Sequence, residues 1–284
     1  MKRLFTFAVF WGFSVLIFLG SCDKIDPPYK EAEAQDGDTL VKRNFLLEEF
    51  TGHLCPNCPQ GAIVAQQLKD VYGERLIIVS IHASDEFAAP GSGEFNYDFR
   101  SQTGNDIFGF FPPFGFPSGL VSRTGWPLPE NTLLNKDSWG SRIESLKDFA
   151  PVMSIELSMV YDTVTRKVDA TIECNVLTDF SGTYKIAAYI TEDSIVHAQM
   201  TENDPEHTDN IIHDYVHRHV LRGSMNGTWG DTLVSGNITT NQEFVKNSSA
   251  TLNAEWNEKQ CYVVVFVYDA ENYEIMQVEE KKIK

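Results

Sequence analysis

The stretch Glu49-Phe50-Thr51-Gly52-His53-Leu54-Cys55-Pro56-Asn57-Cys58 decides how this chain is read, because it sets a Cys-x-x-Cys between two elements of different period. Upstream, Phe45 to Phe50 has the length and apolar content of a short strand. Downstream, Val64, Leu68, Val71 and Tyr72 recur at helical spacing, which predicts a helix opening at the cysteines. The unpaired N–H groups and positive dipole end of a helix N-terminus favour thiolate over thiol. Cys55 is therefore the expected attacking sulfur. Cys58, one turn further in, is placed to resolve a mixed disulfide formed at Cys55, so the pair can cycle between dithiol and disulfide.

Working outward, Arg75 to His82 (Arg-Leu-Ile-Ile-Val-Ser-Ile-His) is a compact apolar run that suits a buried parallel strand beside the first, giving a βαβ unit. Ala83 to Phe111 carries Pro90-Gly91-Ser92-Gly93 and reads as an inserted loop with a short helix near Phe95–Phe108, overhanging the cysteines. In Phe114-Gly115-Phe116-Pro117-Ser118-Gly119-Leu120-Val121 a proline stands just ahead of a short strand, a position that suits a cis turn. Trp139, Ile143, Leu146 and Phe149 predict a helix that closes a first domain at residues 40–150.

Beyond Pro151 the texture changes to alternation. Ile155/Leu157/Met159, Ala170/Ile172/Cys174/Val176 and Cys261/Val263/Val265/Val267 each keep strand parity, and Asn226-Gly227 and Ser235-Gly236-Asn237 supply turns. The expected fold is an α/β domain followed by an all-β, immunoglobulin-like sandwich over residues 151–284.

Met1-Lys2-Arg3, an apolar run from Leu4 to Leu19 and then Gly20-Ser21-Cys22 form an export signal over residues 1–21, too short to span a bilayer. Leu19-Gly20-Ser21-Cys22 resembles the bacterial lipoprotein signal, which implies acylation of Cys22, and residues 22–39 read as an acidic tether. Loss of residues 1–21 removes Lys2 and Arg3, leaving 21 basic against 40 acidic residues, a formal charge of −19. Such a surface excludes nucleic acid as a partner, and contact with the membrane is expected through lipid alone.

Strand, Cys-Pro-Asn-Cys, helix, strand and then Pro117 together resemble the thioredoxin superfamily. By that resemblance Glu49 is the acid that assists Cys58, Pro117 shapes the substrate edge, and Phe116 offers backbone hydrogen bonds to an extended peptide. With the lipoprotein signal, Gly115-Phe116-Pro117-Ser118-Gly119, the run from His213 to Gly223 and Asn226-Gly227-Thr228-Trp229-Gly230, the whole chain resembles the twenty-eight-kilodalton outer-membrane lipoprotein family of Bacteroidetes-type bacteria. The chain departs from well-understood thioredoxins in having Leu54 before Cys55, a bulky Phe116, and a long insertion between Cys58 and Pro117.

The residues leave alternatives open. Cys55 and Cys58 also fit a structural disulfide or, less well, half of a zinc site. His213, His217 and His219 share strand parity and could line one face to hold a metal, or stand on an exposed strand. Cys174 and Cys261 suit an inter-sheet disulfide as well as two buried thiols. The expected function is a lipid-anchored thiol–disulfide oxidoreductase of the cell envelope. It would act on exported protein thiols and disulfides or a redox partner, with no cofactor and no metal among its expected site residues. The alternative is a surface binding or adhesion lipoprotein that keeps the fold as a non-catalytic scaffold.

Overall fold

The computed structural model describes residues 41–284, so the signal sequence, Cys22 and the acidic tether lie outside the described residues. Strand β1 (Phe45–Thr51) leads through the cysteine turn to helix α1 (Cys58–Tyr72) and strand β2 (Leu76–His82). Helix α2 (Gln102–Phe110), strand β3 (Ser118–Val121), helix α3 (Pro129–Thr132), strand β4 (Leu133–Asn135) and helix α4 (Lys136–Leu146) follow. The rest is almost entirely strand: β5 (Met153–Asp162), β6 (Lys167–Val176) and β7 (Phe180–Glu192), then the two-residue strands β8 (Ile195–Val196), β9 (Gln199–Met200), β10 (Ile211–Ile212) and β11 (Val216–His217). Strands β12 (Val220–Ser224), β13 (Asp231–Ile238), β14 (Glu243–Thr251), β15 (Cys261–Asp269) and β16 (Ile275–Lys282) complete a mostly β protein with a few helices.

Every residue of β1 is buried, because the strand pairs on both edges, parallel to β2 and antiparallel to β3. The period of two then divides its side chains between two cores. Phe45 and Leu47 pack with Ala65 of α1 and with Trp139, Ile143 and Leu146 of α4. Leu46 and Phe50 enter a second core with Ile107, Phe111, Tyr189, Val264 and Phe266. Trp139 is fully buried, and truncating such a side chain to alanine costs about 3–5 kcal/mol. Val71 and Phe149 leave the faces expected of them: Val71 is 74% exposed, and Phe149 follows the end of α4 and is 59% exposed. The inserted helix forms later than the spacing suggested, at α2, capped by Ser101 accepting from the Gly104 N–H.

The texture change at Pro151 does not coincide with a break in the sheet. A nine-stranded sheet runs β16-β15-β7-β12-β2-β1-β3-β4, with β13 also paired to β7, so both segments share it, and residues 41–284 form one compact unit. The crossing point is β12, antiparallel to β7 and parallel to β2 at Val220 opposite Ser80. Only part of the expected sandwich is present. The separate sheet β14-β6-β5 packs Val168, Ile172 and Cys174 against Ile186, Ile190, Val263 and Val265. Strand β15 breaks the simple inward-outward rule, since Val264, Phe266 and Tyr268 on its other face are buried against the core that holds Phe50.

Candidate redox site

The cysteine turn is built by the backbone. Cys55 N–H donates to Gly52 O at 3.0 Å and Cys58 N–H to Cys55 O at 3.2 Å, winding the chain into α1, which carries a proline in its first turn and no side-chain cap. Cys55 and Cys58 form a disulfide with a Cα–Cα distance of 5.4 Å. Each cysteine is only 2% exposed.

Period-two alternation sends adjacent acids of β1 to opposite faces. Glu48 enters the aromatic core, where both carboxylate oxygens accept from Arg123 at 2.5 and 2.7 Å and neither side chain is exposed. Rings of Phe111, Trp229, Phe266 and Tyr268 surround that guanidinium. Glu49 points under α1 instead. A methyl group at Gly61 would lie 2.7 Å from Glu49 Oε1 and 2.7 Å from Pro117 Cβ, so the missing side chain is what lets α1 settle onto both. The Phe116–Pro117 peptide is cis, and the Phe116 ring packs on Phe87 at 5.1 Å. Sequence-predicted Cys55, Cys58, Glu49 and Pro117 thus cluster at one end of α1.

Burial pushes the Glu49 carboxyl up to about 8, against a smaller opposing hydrogen bond from Ser80, and Oε1 has no partner. Glu49 and Cys58 line one cavity of about 280 Å³, whose walls include Ile63 and Ala65 on the helix side and Ser80, His82, Tyr215 and His217 opposite. A carboxyl that titrates near neutrality beside a buried cysteine can give or take a proton as a sulfur changes charge.

Two segments cover the cysteines, the inserted loop expected from the sequence and a second, around Gln199, that the sequence did not signal. Leu54 N–H donates to Phe87 O at 2.9 Å, so the inserted loop does reach the motif. Gln199, 2% exposed, donates from Nε2 to Cys55 O at 2.9 Å and to Gly52 O at 3.2 Å, while Met200 N–H donates to His53 O at 2.8 Å. Behind this seam His53, His82 and His217 gather around Phe99, with ring centroids 5.4, 4.6 and 4.3 Å from its own. Burial, and then the neighbouring imidazoles, holds His82 well below the ordinary histidine range and brings His217 down to about 3, so both are neutral at physiological pH.

The three histidines sharing strand parity do not share a site. His213 is exposed and hydrogen-bonds Glu94 and Asp209 at 2.7 and 3.0 Å, His217 lies in the aromatic layer, and His219 sits at a left-handed φ of 55° beyond β11. No metal-binding group of side chains occurs among the described residues. Cys174 and Cys261 are buried free thiols, both pushed up to about 12 by burial.

Comparison with curated protein sequences gave no match. Among solved structures the chain is similar to HBP35 of Porphyromonas gingivalis, with a TM-score of 0.62, 21% identity and coverage of 86% of this chain and 76% of that one. It is also similar to a protein from Agrobacterium tumefaciens, with a TM-score of 0.51, 9% identity and coverage of 86% and 96%. A domain of the outer membrane lipoprotein Omp28 from Porphyromonas gingivalis matches at 20% identity over 47% of this chain and 89% of its own, with a TM-score of 0.30. The family model for outer membrane protein Omp28 matches residues 110–284, a span that includes Pro117 and Gln199 but starts after Cys58. No helix among the described residues is long and apolar enough to cross a membrane. The chain belongs to the Omp28 family of outer-membrane proteins, and its place is the outer membrane of the bacterial cell envelope.

Proposed function

We propose that this outer-membrane protein is held by lipid on Cys22 and carries out thiol–disulfide exchange on exported proteins, using a thioredoxin-like arrangement of β1, α1, β2 and the Pro117 turn. The observation that carries this reading is Glu49: a fully enclosed carboxyl, raised to about 8, lining the same cavity as Cys58. A structural disulfide needs no such group.

In the direction that oxidises the client, a client thiolate attacks Cys55 Sγ, a bond forms between those sulfurs, and the Cys55–Cys58 bond breaks. Its electron pair stays on Cys58, and the new thiolate takes the proton of Glu49. A second client thiolate attacks the client sulfur of the mixed disulfide, leaving the client oxidised and Cys55 as thiolate at the helix N-terminus. Run backwards, Glu49 carboxylate removes the Cys58 proton, and the Cys58 thiolate attacks Cys55 Sγ and expels the client thiolate. Phe116 and Pro117 would flank the client's extended chain.

A Cys58→Ala variant expressed in cells tests this, because it removes the resolving sulfur. Mixed disulfides between Cys55 and envelope proteins are the expected product. A second reading, a surface binding or adhesion lipoprotein in which the disulfide is a staple, draws support from the near-complete burial of both cysteines and from a family match that begins beyond them. Absence of any Cys55 adduct would favour it.

A further inference from the structure

Residues 193–219, between β7 and β12, leave the main sheet and lie across the cysteine turn. Their regular structure is limited to two-residue strands, β9 with β10 and β8 with β11. Yet Ala198, Gln199 and Thr201 are all under 5% exposed. The segment is anchored at its ends, where Asp193 N–H donates to Gln260 O and Ser80 N–H to His219 O, both at 2.8 Å, and where buried His217 packs on Phe99; between those anchors, over the cysteines, the hold is local. A single side-chain amide, Gln199 Nε2, bridges the carbonyls of Gly52 and Cys55, and a single backbone bond joins Met200 N–H to His53 O. At the far arm His213 bonds Glu94 of the inserted loop, and His197 stacks on Tyr97 of that loop at 4.2 Å.

We propose that residues 193–219 are a strap that closes the Cys55–Cys58 disulfide to solvent, with Gln199 as its latch, and that an extended protein segment must displace the strap before exchange. The bond from Met200 N–H to His53 O is of the kind an incoming extended chain makes, so a polypeptide can replace what the strap gives up, whereas a small thiol cannot. Neither half of the molecule shuts the site alone, since the cysteines precede β2 and the latch follows β7. The part of the strap over the cysteines, held there by few hydrogen bonds, is of the kind that opens locally far more often than the whole fold unfolds, with the anchored end at His217 and His219 staying in place. Removing the amide that bridges two buried carbonyls should raise the open population about tenfold.

This inference rests on the exchange chemistry proposed above, and a small reductant separates the two. The test is the rate at which dithiothreitol reduces the disulfide of the full chain, followed by mass after acid quench, in the wild type, in Gln199→Ala and in His213→Gln. Each variant's redox equilibrium with glutathione is measured alongside. The expected result is slow reduction of the wild type, about tenfold faster reduction of Gln199→Ala, a smaller gain for His213→Gln, and equilibria within twofold of one another. His213 is exposed, so its variant decides the question should Gln199→Ala fail to fold. Equal rates in the wild type and the folded variants overturn the strap, as do rate gains matched by an equal shift in equilibrium. Faster reduction of the variants without any client trapped on Cys58→Ala leaves the strap standing and removes the oxidoreductase reading.

Discussion

Replacing Glu49 with glutamine keeps the shape of the side chain and removes its charge, and its effect should depend on pH in a calculable way. In the unfolded chain the carboxyl titrates near 4.5, whereas in the fold burial holds it near 8. Below pH 4.5 both states are protonated and Glu49 costs the fold nothing. As pH rises towards 8 the unfolded chain gains a solvated carboxylate that the fold cannot match, so stability falls by about 1.36 kcal/mol per pH unit. Between pH 5 and pH 8 the wild type should therefore lose about 3–4 kcal/mol through this one group, a loss that Glu49→Gln escapes. Urea unfolding of the oxidised proteins across that range measures the difference directly. The variant should be close to the wild type at pH 5 and more stable by about 3 kcal/mol at pH 8. The same substitution should slow disulfide reduction and remove an inflection near pH 8 from its rate profile. A difference in stability that does not change with pH would refute the raised carboxyl, and with it the proton role of Glu49.

In the reduced protein, kept folded and labelled slowly with iodoacetamide through local opening of the strap, Cys55 should alkylate at lower pH than Cys58, by about 0.2–1.5 pH units from the helix dipole alone. Peptide mass across pH reads the order, and equal rates would count against the nucleophile assignment. Arg123→Met strands Glu48 in a core where neither partner is exposed, and should cost about 3–5 kcal/mol. Glu48→Leu with Arg123→Met should recover most of that loss in a thermal melt, and no recovery would mean that the pair does more than neutralise itself. Native alkylation should leave Cys174 and Cys261 untouched, and denaturation without reductant should release both as free thiols. An inter-sheet bridge would show instead as two missing adducts.

The site was legible where chemistry is local. The Cys-x-x-Cys spacing, the strand before it and the helix after it place Cys55 and Cys58, and Pro117 announces its turn within a few residues. Glu49 needed a resemblance, since a glutamate in a strand carries no sign of its burial, and adjacent Glu48 looks identical while facing the opposite core. Gln199 had no signal. It acts through contacts with residues far from it in sequence, and the Ala198-Gln199-Met200 segment lacks the alternation or turn chemistry that would mark it. The joint at Pro151 misleads for a physical reason: alternation reports which face a strand buries, not which sheet it joins. Strand β12 pairs with β7 on one edge and β2 on the other, carrying the sheet across the texture change. In β15 both faces are buried, so its pattern blurs where the two halves meet.

The most direct test of the exchange reading is the reduction potential of Cys55–Cys58, measured by equilibrating the soluble protein, starting after Cys22, in glutathione buffers and quantifying free thiols by mass. On the exchange reading Glu49 and the helix N-terminus serve both the dithiol and the disulfide, and the midpoint should then fall among those of redox catalysts, about −120 to −270 mV. A midpoint below about −300 mV would mark a structural bridge, and the protein would then be a surface lipoprotein with a stapled scaffold.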